Sequence, residues 1–338
     1  MSNALVFADR LLDLLGGHRV TAALCTAVEL GVVEALTAGE RTATEVANEC
    51  STHAPSTERL LIALVALGIC QSVGPTRYRL TDMGACLANS ASHSLRSWAL
   101  FEGKMLSHSW MGLAESVRSG RTAAELAGAD GGRYGQMHRD PEAALVFDAA
   151  MANMTRLVAR DLIAAGDFNS AGKVLDVGGG AGTLLVEILR ACPTTSGSIL
   201  DLERCEAAAR RAIDAAGMRS RASFLTGDFF AGIPAGFDTL LLKNVLHNWD
   251  DERCVVLLAN CRSALADAGR IVIAERFLPP RDYSSRSAST ALGDLNMLRG
   301  PGGRERSEAA YCGLVTSAGL RVARRIPAGR YDLLVATR

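Results

Sequence analysis

The stretch "LDVGGGAGTLLVEIL", residues 175–189, changes character twice in fifteen residues. Its first three residues close an apolar run that reads as a buried strand. The glycines read as a tight loop, and the spacing of Leu184, Leu185, Ile188 and Leu189 reads as a helix. Glycine at 178, 180 and 182 lets backbone approach a ligand closely at the carboxyl end of that strand. Outward from this unit the same alternation repeats. Strands are predicted in "KVLDVG" (173–178), "SILDL" (198–202), "ASFLTGD" (222–228), "DTLLLKN" (238–244) and "RIVIAE" (270–275), with helices between them. A terminal pair follows, "RVARRI" (321–326) and "YDLLVAT" (331–337). Such alternation builds a mainly parallel sheet wound on both faces. The Gly329-Arg330 connection is short enough to fold the last two strands into an antiparallel hairpin.

Glycine spacing separates two ligand classes. A dinucleotide fingerprint, G-x-G-x-x-G, needs glycine at 183, where Thr183 stands. Instead Asp176 precedes G-x-G-x-G, a form that fits S-adenosylmethionine. That molecule is cationic at its sulfonium and amino groups and brings no pyrophosphate to a helix N-terminus. Asp201, ending the second strand, is placed to accept hydrogen bonds from a ribose. Asp228, in "TGDFF", is placed to read an adenine amino group, with Phe229 offering an apolar ring face. A capping or turn role is the alternative for either aspartate. All three features fall on the edge where open α/β sheets bind ligands.

His247, in "LLKNVLHNWDD" (241–251), follows the fourth strand on that same edge. Alone it reads as a packing residue. Glu275, ending the neighbouring fifth strand, and Glu305, in the loop "RGPGGRERSEAAY" (299–311), change that reading. A carboxylate that accepts the Nδ1 proton fixes the imidazole tautomer and stabilises the imidazolium once Nε2 takes a proton. A phenol of pKa about 10 giving its proton to an unperturbed histidine is uphill by roughly 5 kcal/mol, and a carboxylate partner narrows the gap. Such chemistry needs no metal. Asp250 or Asp251 is expected to cap a helix running from about 251 to 266.

The rest of the chain bounds the setting. At 338 residues and 49% hydrophobic it is long enough for two domains with sizeable cores. Thirty-six basic residues balance thirty-six acidic ones, so no global charge favours nucleic acid or an anionic membrane. Nine cysteines without a C-x-x-C pair fit free thiols in a reducing compartment and no zinc site. No basic-then-apolar leader is seen and no apolar run nears the ~20 residues of a membrane span, so a cytoplasmic protein is expected. Residues 1–100 read as short helices. "TATEVANECST" and "STERLLIALVALGIC" form a helix–turn–helix pair, and "ICQSVGPTRYRLTDMGACL" a two-stranded wing. DNA binding is disfavoured, because residues 1–90 carry six arginines and no lysine against nine acids. A subunit interface suits those apolar helices better. Residues 101–165 are predicted helical and hold five of the nine methionines, Met105, Met111, Met137, Met151 and Met154, one or two of which can wall an aromatic ligand.

Together "LDVGGGAG", "GDFF", "LLKNVLHNWDDE", "AERFLP" and "DLNML…GGRERSEAAY…AGL" resemble, in order and spacing, the class I S-adenosylmethionine-dependent O-methyltransferases of the plant caffeate and flavonoid type and their bacterial secondary-metabolite relatives. The resemblance covers nearly the whole chain. It implies a Rossmann-like seven-stranded α/β sheet with its final hairpin antiparallel and an N-terminal all-α winged-helix dimerisation domain. The implied boundaries are 1–100 for dimerisation, 101–165 for a helical linker contributing to the substrate pocket, and 166–338 for the catalytic domain. Methyl transfer to a phenolic or enolic hydroxyl of a small aromatic or polyketide-type compound would leave S-adenosylhomocysteine. His247 would be the base, with Glu275 and Glu305 flanking it. Gly178, Gly180, Asp201, Asp228, Phe229, Lys243 and Trp249 match cofactor contacts; Met151, Asn244, Asn296 and Met297 match the acceptor pocket. Two departures favour a bacterial natural product as acceptor: Asn244 replaces a large apolar residue, and the loop before Glu305 is one residue shorter. Other chemistries of this fold (C- or N-methylation, hydroxylation), a ligand-sensing winged-helix regulator and a nicotinamide dehydrogenase are the alternatives.

Overall fold

The computed structural model describes residues 3–128, 140–279 and 285–338, which leaves Met137 outside the described residues. The chain forms two compact units, Met1–Met111 with Glu142–Met154, and Gly112–Pro141 with Thr155–Arg338.

In the first unit, helices α1 (Asn3–Leu15) and α2 (Gly17–Glu29) are divided at Gly16. Then come α3 (Val32–Thr37), β1 (Arg41–Thr42), α4 (Ala43–Cys50), α5 (Ala54–Ala66), β2 (Cys70–Val73) and β3 (Arg77–Leu80). Thr42 starts α4 with a reciprocal capping box: its hydroxyl accepts from the Glu45 N–H at 3.2 Å, and its own N–H donates to the Glu45 carboxylate at 2.6 Å. Val28, Val32, Leu36, Val46, Leu61 and Leu64 bury their side chains together. The wing is present and gains a third strand, because extended Arg41–Thr42 pairs with β3 in the order β1-β3-β2. By length and composition alone Leu5–Glu29 reaches the level of a membrane span, with a mean hydropathy of 1.2, but it carries Asp9, Arg10, Asp13 and Arg19 and is not a clear span. Only Gly16 separates the two helices, and glycine hardly lowers the hydropathy of the run.

The second unit is built on a seven-stranded sheet in the order β6-β5-β4-β7-β8-β10-β9. Its strands are β4 (Lys173–Val177), β5 (Ser196–Asp201), β6 (Ala222–Thr226), β7 (Phe237–Lys243), β8 (Leu265–Glu275), β9 (Arg321–Ala328) and β10 (Tyr331–Thr337). The first five pair in parallel, and β10 lies antiparallel to both β8 and β9. Further helices are α6 (Pro141–Gly166, whose two halves belong to different units), α7 (Thr183–Ala191), α8 (Glu203–Ala215), α9 (Asp251–Ala264), α10 (Ser285–Arg299) and α11 (Glu308–Ser317). Alternation along the strands divides the core in two. Val174, Ile199, Leu241 and Val272 pack with Leu162 of α6, Leu185 of α7 and Ile213 of α8. Their sequence neighbours Leu175, Leu200, Leu240 and Ile271 pack with Leu257 of α9 and Leu314 of α11. Each such buried side chain stabilises the fold by about 1.5–3 kcal/mol, before entropy is counted. Strand order reverses between β4 and β7, which opens a crevice at their carboxyl ends.

Candidate active site

Chain leaves β7 at Lys243 and turns sharply. Asn244 adopts left-handed backbone, φ 56°, a conformation asparagine tolerates better than most residues. Its N–H donates to the Ala274 carbonyl at 3.1 Å, and its side-chain amide donates to the Tyr331 hydroxyl at 2.9 Å. A single 3-10 turn, Leu246–Asn248, then carries His247. Glu275 secures that turn: one carboxylate oxygen, Oε1, accepts from the N–H groups of Val245, Leu246 and His247 at 3.0, 2.9 and 3.4 Å. Buried Arg306 takes the opposite polarity, donating to the carbonyls of Leu246 at 3.2 Å and Trp249 at 2.7 Å, and to Asp251 at 2.8 Å. Asp250 caps α9 by accepting from the Arg253 N–H at 2.8 Å.

The other Glu275 oxygen, Oε2, stands 3.1 Å from His247 Nδ1, and Glu305 Oε1 stands 3.6 Å from the same nitrogen. All three side chains are buried. Glu275 Oε2 lies off the line of a ring N–H and Glu305 Oε1 lies beyond hydrogen-bond distance, so both act on the ring through charge. Burial works against the imidazolium, but Glu275 first and then Glu305 outweigh it and lift His247 to about 9. Burial also pushes Glu305 toward its neutral form. His247 and Arg276 overcome that and hold its carboxyl below the usual range.

Glycine is obligatory at 303. A Cβ there would stand 2.0 Å from the His247 carbonyl oxygen and 2.4 Å from the Asn248 carbonyl carbon, both immobile backbone. Gly303→Ala is expected to push the 302–306 loop off the histidine turn and destabilise the fold by about 1–3 kcal/mol. Urea denaturation monitored with turnover checks this; an unchanged midpoint and rate would contradict the close approach.

At the glycine loop, the Gly180 N–H donates to Asp201 Oδ2 at 2.8 Å, and Asp201 Oδ1 accepts from the Leu202 N–H at 2.7 Å. Beyond Asp201, an open cleft of about 520 Å³ is lined by Leu202, Glu203, Arg204, Thr226, Gly227 and Asp228. Asp228 accepts from the Phe230 N–H at 2.8 Å. Phe229 and Phe230 meet Trp249 edge-on at 6.2 and 4.8 Å between centroids, and the Arg253 guanidinium covers the Trp249 ring at 4.4 Å. Gly178 packs beside Val245 and Phe229. Lys243 is half-buried and donates to Thr155 Oγ1 at 3.0 Å. Burial lowers its pKa and raises that of Asp176, and each partly offsets the other's shift. Asp176 Oδ2 is buried without a hydrogen-bond partner.

On α10, Met297 is buried and Asn296 half-buried. Met151 belongs to the first unit, half-buried against Phe101, Leu106 and Ala150. The second unit thus draws His247, Glu275 and Glu305 together, and Phe229 with Trp249. Sequence reading missed Arg276, Asp294 and Arg306. The first donates to Glu305 Oε1 at 2.6 Å, the second accepts from the Glu305 N–H at 2.8 Å, and the third braces the turn. Arg276 and Arg306 each directly follow a named glutamate, a signal that charge pairing beside a buried acid could have used.

Two family descriptions match the chain: O-methyltransferase domain over residues 110–321 and O-methyltransferase dimerisation domain over residues 12–90. The 3-amino-4-hydroxybenzoate 4-O-methyltransferase of Streptomyces cremeus is 36% identical over 315 residues, 93% of this chain and 85% of that protein. Aclacinomycin 10-hydroxylase RdmB of Streptomyces purpurascens is 34% identical, covering 96% of this chain and 87% of that one. Among solved structures, LaPhzM superposes with a TM-score of 0.92 at 30% identity, covering 98% of this chain and 99% of that chain. NcsB1, an O-methyltransferase from neocarzinostatin biosynthesis solved with S-adenosylmethionine and 2-hydroxy-5-methyl naphthoic acid, has a TM-score of 0.77 at 32% identity, covering 94% and 95% of the two chains. With both family domains in place along its length, the chain belongs to the O-methyltransferase family.

Proposed function

We propose that this protein moves a methyl group from S-adenosylmethionine to a phenolic or enolic hydroxyl of a small aromatic or polyketide-type natural product, with His247 as general base. The observation that carries this reading is the imidazole at the ligand edge of the sheet whose Nδ1 faces two anchored carboxylates. The residues present fit the donor. Asp201 is bound to the glycine loop and immediately precedes the cleft-lining Leu202, Asp228 lines the cleft, and Asp176 keeps a buried oxygen without a partner. Asp201 and Asp228 would hold the nucleoside, Gly178 and Gly180 would admit it, and Phe229 and Trp249 would flank it. Lys243 and Asp176 would face its polar end. When bound, S-adenosylmethionine supplies an electrophilic methyl group on a positively charged sulfur.

This chain's own contribution is the proton. The negative charge of Glu275 beside Nδ1 favours the hydrogen on that nitrogen, which leaves the Nε2 lone pair for the acceptor hydroxyl. With His247 lifted to about 9, taking a proton from a phenol is far less uphill than the roughly 5 kcal/mol of an unperturbed pair. The counterpart is that free His247 is mostly imidazolium at neutral pH. Only the neutral ring accepts a proton, so kcat/KM is expected to rise with pH and to level off above the ordinary histidine range. A pH–rate profile checks this; an inflection below 6 would contradict the double-carboxylate environment. Asn244, Asn296 and Met297 are proposed acceptor contacts.

Exposed Phe7, Leu11, Leu12 and Leu15 on α1, at the start of the matched dimerisation domain, support a homodimer; a cytoplasmic role in antibiotic or other secondary-metabolite biosynthesis is part of the same proposal. Incubation with S-adenosylmethionine and a panel of hydroxylated aromatics, followed by mass spectrometry, tests the reaction. A product heavier by one methylene supports it. The similarity to a protein named as a hydroxylase gives a second reading, and a product heavier by one oxygen would replace the first with it.

A further inference from the structure

We propose that Arg276 is a positioning residue that draws Glu305 away from His247, so that Glu275 keeps the closer hold on the imidazole and the ring gives up its proton more readily than two unshared carboxylates would allow. The inference rests on His247 acting as base. The geometry is asymmetric. Glu305 Oε1 is shared between two cations, 2.6 Å from Arg276 Nη2 and 3.6 Å from His247 Nδ1. Glu275 Oε2 approaches the same nitrogen to 3.1 Å. Glu305 therefore leans on the guanidinium, and Glu275 has the closer hold on the ring.

Several features keep Arg276 in this place. It follows Glu275 at the end of β8 and runs against α10, where Gly293 leaves it room: a Cβ there would meet Nη2 at 2.6 Å. Its side chain is 27% exposed while that of Glu305 is fully buried, so the ion pair is largely shielded from water. Asp294, on α10, accepts from the Glu305 N–H and fixes the loop from the other side. The charged or titratable groups facing His247 itself are Glu275 and Glu305. Glu305 is faced by His247, Arg276, Asp294, Tyr311 and Tyr331. Lys243 and Tyr331 interact with Arg276. Among these, Arg276 is the cation in direct contact with Glu305.

Without Arg276, Glu305 would turn its full charge on the ring and hold the imidazolium more firmly. The test is a pH–rate profile of Arg276→Met, Arg276→Lys, Glu305→Gln and the double variant Arg276→Met with Glu305→Gln. The rising limb of kcat/KM in Arg276→Met is expected to move up by about one pH unit. That is a roughly tenfold loss at neutral pH, with the alkaline plateau retained. Arg276→Lys should return most of the shift. Glu305→Gln should move the limb the other way, and in that background Arg276→Met should add little, which a general loosening of the fold would not reproduce. Three outcomes would overturn the proposal: an unmoved limb in Arg276→Met, a loss uniform across pH, or an equal shift with and without Glu305. If His247→Ala retained the same limb, the base assignment would fail instead, and the two failures are thereby distinguished.

Discussion

Replacing His247 by Ala is expected to lower kcat by on the order of 10²–10⁴-fold, the usual contribution of a positioned general base. Donor binding should persist, because the glycine loop, Asp201 and the cleft lie on other strands. The turn should keep its backbone anchors to Glu275 and Arg306, while loss of the imidazolium beside two buried carboxylates should lower the urea midpoint. Calorimetry with S-adenosylhomocysteine, beside steady-state rates, separates the two effects. A specific signature accompanies the loss. An enzyme without its base acts only on acceptor that has already ionised, so the residual rate should climb with pH until the acceptor's own pKa. Near-normal turnover in the variant at neutral pH would remove His247 from the chemistry.

The second large effect is at Glu275. Glutamine there keeps a carbonyl oxygen for the three backbone N–H groups but sets an amide N–H₂ where Oε2 now faces Nδ1. Two donors cannot face each other, so the ring proton moves to Nε2, which then has no lone pair for the acceptor. Loss of kcat by on the order of 10²–10⁴-fold is expected with the fold retained, as in other enzymes where the wrong imidazole tautomer is imposed. Glu275→Ala should fail differently. It strands buried N–H groups at about 1–3 kcal/mol each, and the protein should unfold at markedly lower urea. Equal stability for the two variants would show that Oε1 does not secure the turn.

Both effects were partly visible in the sequence. Continuous apolar runs in "DTLLLKN" and "RIVIAE" placed β7 and β8, and the short Gly329-Arg330 link announced the antiparallel hairpin. Those readings succeeded because burial on both faces imposes apolar runs whatever the sequence context. His247, Glu275 and Glu305 could be grouped because two lie at neighbouring strand ends. What stayed hidden was how the charges are shared. Nothing in "GGRERSEAAY" says that Glu305 bonds Arg276, or that Arg306 reaches the carbonyls of a turn nearly sixty residues earlier. Such contacts depend on rotamers and loop paths, which pattern does not encode. The third strand of the wing was missed for a related reason: two residues are too few to show a period.

The double engagement of Glu275 has an evolutionary consequence. One of its oxygens serves the chemistry and the other serves the chain, so the two demands cannot drift apart. His247 carries no such obligation. A descendant exploring another reaction on this scaffold could exchange the histidine in a single step and still fold. It could not discard the glutamate. Among paralogues with altered chemistry, the acid is therefore the part expected to survive as a relic of a base it no longer orients.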